Sequence, residues 1–180
     1  MNKFLKYYFV IRAILFIAIA VMIAAFANQL FEYLNYLVGG VILLYGFEGL
    51  FMPITRTRSR FFAEYQFYLG FVELLLGVLM ICVVKDFNNV CMIWATWTIV
   101  RESFELYETS HKLLKKFPAV LSLSLSIIEI VFSILLIIFA SEHHAMTHIY
   151  LLIPEFIING ISPLLFKIYL SYRERQAINN

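Results

Sequence analysis

Residues 65–84 read YQFYLGFVELLLGVLMICVV, an apolar stretch that contains a stripe of polar and small residues at Gln66, Gly70, Glu73 and Gly77. The offsets 0, 4, 7 and 11 place these residues on one face of an α-helix. The same offsets recur 56 residues later in a second apolar stretch. Two lipid-embedded helices with matching carboxylates predict an internally repeated membrane protein with a polar stripe. The matching residues are Ser122, Ser126, Glu129 and Ser133.

The composition favours a membrane protein over a soluble domain. Of the 180 residues, 62% are hydrophobic and only 14% are charged, and the mean hydropathy is +0.84. A typical soluble domain has about 25% charged residues. The net charge is only +2, and the chain lacks the clustered cations of a nucleic-acid surface. We therefore expect the lipid bilayer, and no nucleic acid, as a partner.

Six stretches are long enough to cross a bilayer, which takes roughly 20 apolar residues per helix. Backbone groups in lipid must hydrogen-bond within the protein, as they do in helices and closed barrels, and the alternation of barrel strands is absent, so we expect helices. The predicted fold class is an all-α polytopic membrane protein of six transmembrane helices, forming a single domain over residues 1–180. The segments are Tyr8–Ala27, Leu30–Met52, Tyr65–Val84, Val90–Tyr107, Ala119–Ala140 and Thr147–Tyr169.

The distribution of cations predicts the orientation. Basic residues precede the first segment and follow the second, fourth and sixth, whereas Lys85 is the single clear cation on the other side. Because cytoplasmic loops are enriched in Lys and Arg, both termini are expected in the cytoplasm. The cytoplasmic cations are Lys3, Lys6, Arg56, Arg58, Arg60, Lys112, Lys115, Lys116, Arg173 and Arg175.

The segments are predicted to form three helical hairpins, as parallel pseudo-repeats over about residues 8–60, 61–117 and 118–175. The second helices of the hairpins share a weak motif at intervals of 57 residues. Cleavage of the first segment as a signal peptide would break this pairing, so we expect that segment to remain as a helix. The motif occurs as Gly46-Phe47-Glu48, Ser103-Phe104-Glu105 and Gly160-Ile161-Ser162.

Three short motifs suggest a family: Gly70-Phe71-Val72-Glu73-Leu74, the stretch from Trp94 to Arg101, and Ser126-Ile127-Ile128-Glu129-Ile130. With them the chain resembles the HdeD-type acid-resistance membrane proteins, part of a wider bacterial group with a short repeat of unknown function. The resemblance spans roughly residues 8–170 and departs from the family at Arg12, Pro154 and Pro163. It implies a multi-pass protein of the bacterial inner membrane, linked to acid or envelope stress.

No reaction follows from the resemblance, and the residues themselves point to none. The sequence shows no phosphate-binding loop, no nucleophile elbow and no catalytic Ser/His/Asp set. We therefore expect a protein that is not an enzyme and has neither cofactor nor metal. A homo-oligomer is plausible, because so small a bundle has few interior faces, and no protein partner can be named.

Seven ionisable residues are predicted to lie in the cytoplasmic half of the bundle. A charge at mid-bilayer costs at least ~2.5–3.5 kcal/mol, so such groups are expected to face the interior and pair. Arg101 and Glu105 have the spacing of an intrahelical pair. The charges either fix helix registry, bind a proton or cation for a small transporter or channel that uses Glu73 and Glu129, or recognise a lipid or partner. The cluster is Arg12, Glu48, Glu73, Arg101, Glu102, Glu105 and Glu129.

A second polar face is predicted in the outer half of the last segment. Glu155, Asn159 and Ser162 fall at offsets 0, 4 and 7. Pro154 and Pro163 could kink this helix and free backbone carbonyls for an ion or water. The alternative is that the prolines serve packing alone.

The outer connections contain histidines and cysteines. The histidines could lie in a solvated loop, respond to pH, or bind a metal through His144 and His148, which are four residues apart. The cysteines could form a disulfide across one hairpin or simply pack. Three glycines in the second segment are expected to permit close helix contacts. These residues are His143, His144, His148, Cys82, Cys91, Gly39, Gly46 and Gly49.

Overall fold

The computed structural model describes the backbone of residues 3–55, 60–112 and 117–179, and the side chains of residues 7–51, 64–107 and 123–161. Within these ranges the chain forms six α-helices and no strand, which confirms the predicted all-α class. All ten predicted cytoplasmic cations lie outside the described side chains. The helices are α1 (Lys3–Glu32), α2 (Leu34–Thr55), α3 (Arg60–Cys82), α4 (Phe87–Lys112), α5 (Phe117–Ile138) and α6 (Glu142–Asn179).

Helix α1 continues beyond its predicted end and is separated from α2 by Tyr33 alone. A kink interrupts α1 at Phe26, whose φ of −125° and ψ of 21° are not helical. The sequence between Asn28 and Asn35 contains neither Pro nor Gly. Because these are the residues that most strongly end a helix, the chain keeps its helical hydrogen bonds almost without a break.

Side-chain caps set the starts of α4 and α6. The backbone N–H of Asn89 donates to Oδ2 of Asp86 at 3.1 Å, just before α4 begins. The backbone N–H of His144 donates to Oγ of Ser141 at 3.3 Å, just before α6 begins. Each cap satisfies one backbone donor that has no partner within its own helix.

Among the residues whose side chains are described, three helical stretches are long and apolar enough to cross a membrane: Tyr7–Glu32, Leu34–Phe51 and Glu64–Cys82. Leu123–Ile138 is a shorter apolar helix. Their surfaces expose large apolar side chains, as at Leu75, which is 74% exposed.

The chain divides into two compact units. The terminal unit consists of Met1–Ala27 and Ile149–Asn180, and the central unit consists of Asn28–His148. In the central unit, the closest backbone packing among the described residues joins α2 to α3 and α4 to α5. These contacts cross the boundaries of the predicted hairpins. Each pairs the second helix of one predicted repeat with the first helix of the next.

Glycines allow α2 and α3 to approach closely. A Cβ at Gly49 would lie 2.6 Å from the carbonyl oxygen of Gln66, and a Cβ at Gly70 would lie 2.8 Å from the carbonyl oxygen of Gly46. Real Cβ atoms do not come this close to backbone atoms. The predicted role of Gly39, Gly46 and Gly49 in close helix contact is therefore confirmed.

Candidate functional site

A buried ion pair lies in the central unit. Nη1 of Arg101 on α4 is 2.7 Å from Oε1 of Glu73 on α3. Trp97, one helical turn before Arg101, donates from Nε1 to the same carboxylate oxygen at 3.0 Å. Glu73 is 0% exposed, and its Oε2 has no hydrogen-bond partner among the described residues. The sequence predicted Glu73 and Arg101 as members of one cluster, and the structure brings them into contact.

Aromatic rings surround the guanidinium of this pair. Cζ of Arg101 lies 3.6 Å from the ring centroid of Tyr45 on α2 and 5.7 Å from that of Trp97. A planar guanidinium stacks well on aromatic faces, and a desolvated contact of this kind contributes about 2 kcal/mol. Side chains of α2, α3 and α4 therefore meet at Arg101. The sequence analysis missed Tyr45 and Trp97 as members of the site.

Two further carboxylates of the predicted cluster act on the same guanidinium. Glu48 and Glu105 both interact electrostatically with Arg101. Glu48 is buried on α2, whereas Glu105 is only partly buried on α4. Arg101 is hydrogen-bonded to Glu73 on the neighbouring helix.

Two carboxylates lie close together between α4 and α5. Glu102 and Glu129 are 6% and 2% exposed, and their carboxylate oxygens approach within 4.8 Å. Carboxylates of the predicted inner cluster thus make two kinds of contact in the central unit. Glu73 pairs with a guanidinium, and Glu102 approaches another carboxylate.

The terminal unit contains Arg12 with part of the predicted outer face. Nη1 of Arg12 donates to the backbone carbonyl of Asn159, and the guanidinium carbon lies 4.5 Å from the ring centroid of Phe16. Asn159 and Arg12 therefore lie at the same level along their helices, although the sequence analysis placed them in opposite halves of the bundle. The reason is that depth was counted from predicted segment ends, and α6 is longer than its segment by several turns. Glu155 is buried in this unit, and the side chain of Ser162 lies outside the described residues.

The histidines of the predicted outer loop belong to the start of α6. His148 is 1% exposed, and its ring centroid is 4.4 Å from that of Trp94 on α4. Nδ1 of His144 lies 3.0 Å from Oγ of Ser141. The interpretation of a solvated loop is therefore wrong for His148, because α6 begins at Glu142, before the predicted segment.

The two cysteines are both free, so the possible disulfide across the α3–α4 connection is not formed. Cys82 is exposed at the end of α3, and Cys91 is buried in α4. The thiol of Cys91 therefore behaves as a packing group.

Comparisons with known protein families, with curated proteins and with solved structures find no match to this chain.

Proposed function

We propose that the protein is a noncatalytic, multi-pass protein of the bacterial inner membrane, whose six helices cross the bilayer with both termini in the cytoplasm. One observation supports this best: polarity is inverted relative to a soluble protein. On α3, Leu75 is 74% exposed, whereas Glu73, two residues away, is 0% exposed. A surface of this kind is stable in lipid, where apolar side chains face hydrocarbon and charges face other helices.

In this proposal the buried charges hold the helices in register. Arg101 is paired with Glu73 and stacked on Tyr45, so its guanidinium is engaged by side chains of two other helices. Removing one partner of a buried pair leaves an uncompensated charge, which costs about 3–5 kcal/mol. Any sliding of α3 against α4 would separate the pair at that cost. The ion pair thus selects one arrangement of the helices.

A role in acid or envelope stress is the physiological part of the proposal. Its support is the resemblance of the repeated motifs around Glu73, Arg101 and Glu129 to the HdeD-type proteins. Within that role, the protein acts by contacts with lipid, with copies of itself or with other proteins. Neither a reaction nor a cofactor is required.

The alternative is a small transporter or channel coupled to protons or cations, which uses the stripe of Glu73 and Glu129. The approach of Glu102 and Glu129 within 4.8 Å favours this alternative. Two carboxylates so close together repel each other unless a proton or a cation lies with them. A site that takes up and releases such an ion is a requirement for coupling.

Flux measurements in liposomes separate the two functions. The purified full chain and a variant with both Glu73→Gln and Glu129→Gln would be reconstituted, after gel filtration and thermal melting have tested their folding. The proposal predicts no selective proton or cation flux from the wild type, and a lower melting temperature for the variant. Flux that disappears in a well-folded variant would overturn it in favour of the transporter.

A further inference from the structure

Three polar side chains from three helices of the central unit are buried and have no hydrogen-bond partner among the described residues. They are Thr98 on α4, Ser133 on α5 and His148 on α6, which are 3%, 0% and 1% exposed. The unpartnered atoms are Oγ1 of Thr98, Oγ of Ser133 and both ring nitrogens of His148. A buried polar group left unpaired is destabilising, so three together require an explanation.

His148 on α6 contacts α4 within one helical turn of Thr98. The imidazole of His148 stacks on Trp94 with ring centroids 4.4 Å apart. Thr98 follows Trp94 by four residues, which places it on the same helix face about 6 Å further along the axis. Water can bridge polar groups that are one helical turn apart.

Ser133 lies in the same layer as Thr98. The connection between α4 and α5 is short and the two helices pack closely, so they run antiparallel. The approach of Glu102 and Glu129 fixes their register. Thr98 precedes Glu102 by four residues and Ser133 follows Glu129 by four, so both hydroxyls lie about 6 Å from the acidic pair, in the direction of the start of α4.

Side-chain direction brings these groups together. Helical side chains lean towards the N-terminus of their own helix. Ser133 on α5 therefore leans towards the turn of Glu129, and Glu102 on α4 leans towards the turn of Thr98. Ser133 and Glu102 therefore lean towards each other between the helices, while Thr98 leans towards Trp94 and the ring of His148.

We propose that internal water occupies this region, hydrogen-bonded to Thr98, Ser133 and His148, and gives protons from the outer side access to Glu102 and Glu129. A proton binds the ring nitrogen that is an acceptor in the neutral imidazole. The other ring N–H then releases a proton to the bridging water, so that one proton moves without any electron transfer. This goes beyond the proposed function, since a hydrated site is compatible with a protein that transports nothing.

The groups around His148 leave the imidazole as the first proton acceptor on this route. Four titratable groups lie on the surrounding faces. On α4 they are Cys91, one turn before Trp94, and Glu102, one turn after Thr98; the others are His144, one turn before His148 on α6, and Glu129, one turn before Ser133 on α5. His144 is engaged with Ser141 through Nδ1.

Fluorescence of Trp94 tests the proposal in the full chain in lipid nanodiscs. The chain has two Trp residues, so Trp97→Phe leaves Trp94 as the only indole. Between pH 7 and pH 3 we expect a reversible loss of emission, because a cationic imidazole forms in contact with the indole, and His148→Gln abolishes that loss. If Trp97→Phe does not fold, the difference between wild type and His148→Gln gives the same readout.

A matched variant tests the water itself. Thr98→Val with Ser133→Ala removes both hydroxyls and nearly preserves side-chain volume. If water links these groups, the double variant loses or strongly weakens the pH response of Trp94 while remaining folded. If the hydroxyls are merely unpaired, the variant melts at a higher temperature and keeps the full response, which overturns the proposal. Emission that is independent of pH in the wild type overturns it as well.

Discussion

Arg101 donates from Nη1 to Oε1 of Glu73 across 2.7 Å, and both residues are buried. The two residues are 28 positions apart and belong to consecutive helices. Trp97 donates to the same oxygen, so one carboxylate atom receives two donors from α4. The contact fixes both the rotation of α4 and its height against α3, because either motion would remove a donor from Glu73.

The glycine contacts between α2 and α3 predict a contrast between two glycines of α2. Gly49→Ala places a Cβ 2.6 Å from the carbonyl oxygen of Gln66, whereas Gly40→Ala meets nothing within 4 Å. We expect Gly49→Ala to reduce the free energy of unfolding by about 1–3 kcal/mol through overpacking. Gly40→Ala should stabilise by about 0.5–1 kcal/mol through helix propensity. Thermal unfolding in detergent micelles measures both, and equal midpoints would contradict the close packing.

The inverted polarity of α3 predicts that its exposed positions reject charge. Leu75→Arg should reduce the amount of protein in the membrane fraction, because a cation near the centre of a membrane helix costs about 2.5–3.5 kcal/mol on insertion scales. Leu75→Met is the matched control and should behave like the wild type. Immunoblotting of fractionated cells gives the readout. Normal amounts of folded, water-soluble Leu75→Arg protein would refute the membrane assignment.

The proposed orientation predicts one-sided labelling of Cys82. This thiol is exposed at the end of α3, whereas Cys91 is buried. A membrane-impermeant maleimide added outside spheroplasts should label the wild type and the Cys91→Ser variant, and should leave Cys82→Ser unlabelled. Labelling that occurs only in inside-out vesicles would contradict the proposed orientation and indicate the opposite one.

The sequence could predict which residues enter the site, but not which of them meet. Glu73 stands out because its stripe repeats at Glu129 with the same offsets. Its contact with Arg101 depends on which helices are neighbours and on their relative height, and the hydropathy pattern predicts only which face of each helix points inwards. Tyr45 and Trp97 gave no signal, because aromatic residues are common throughout a chain with 18 Phe and 11 Tyr.

Wrongly placed helix ends account for most of the remaining differences between the predicted and the observed positions of residues. Depths along α6 were counted from an apolar segment, and the helix extends beyond it at both ends. One signal for its true start was present, since Ser141 followed by Glu142 is typical of a helix N-terminus. With that start, His148 falls in the second turn of α6, and not in a loop.

A double-mutant cycle on Glu73 and Arg101 tests the central claim most directly, that this buried pair holds the helices in register. Glu73→Gln, Arg101→Met and the double variant would be compared with the wild type by unfolding in the same micelles. Exposed Tyr68, on the same helix as Glu73, supplies a control in Tyr68→Phe, which should change little.

The account predicts that each single substitution lowers the free energy of unfolding by about 3–5 kcal/mol, since each leaves a buried polar or charged group without its partner. The double variant should lose clearly less than the sum of the two, because it leaves neither charge behind. Strictly additive losses, or single variants as stable as the wild type, would contradict the claim.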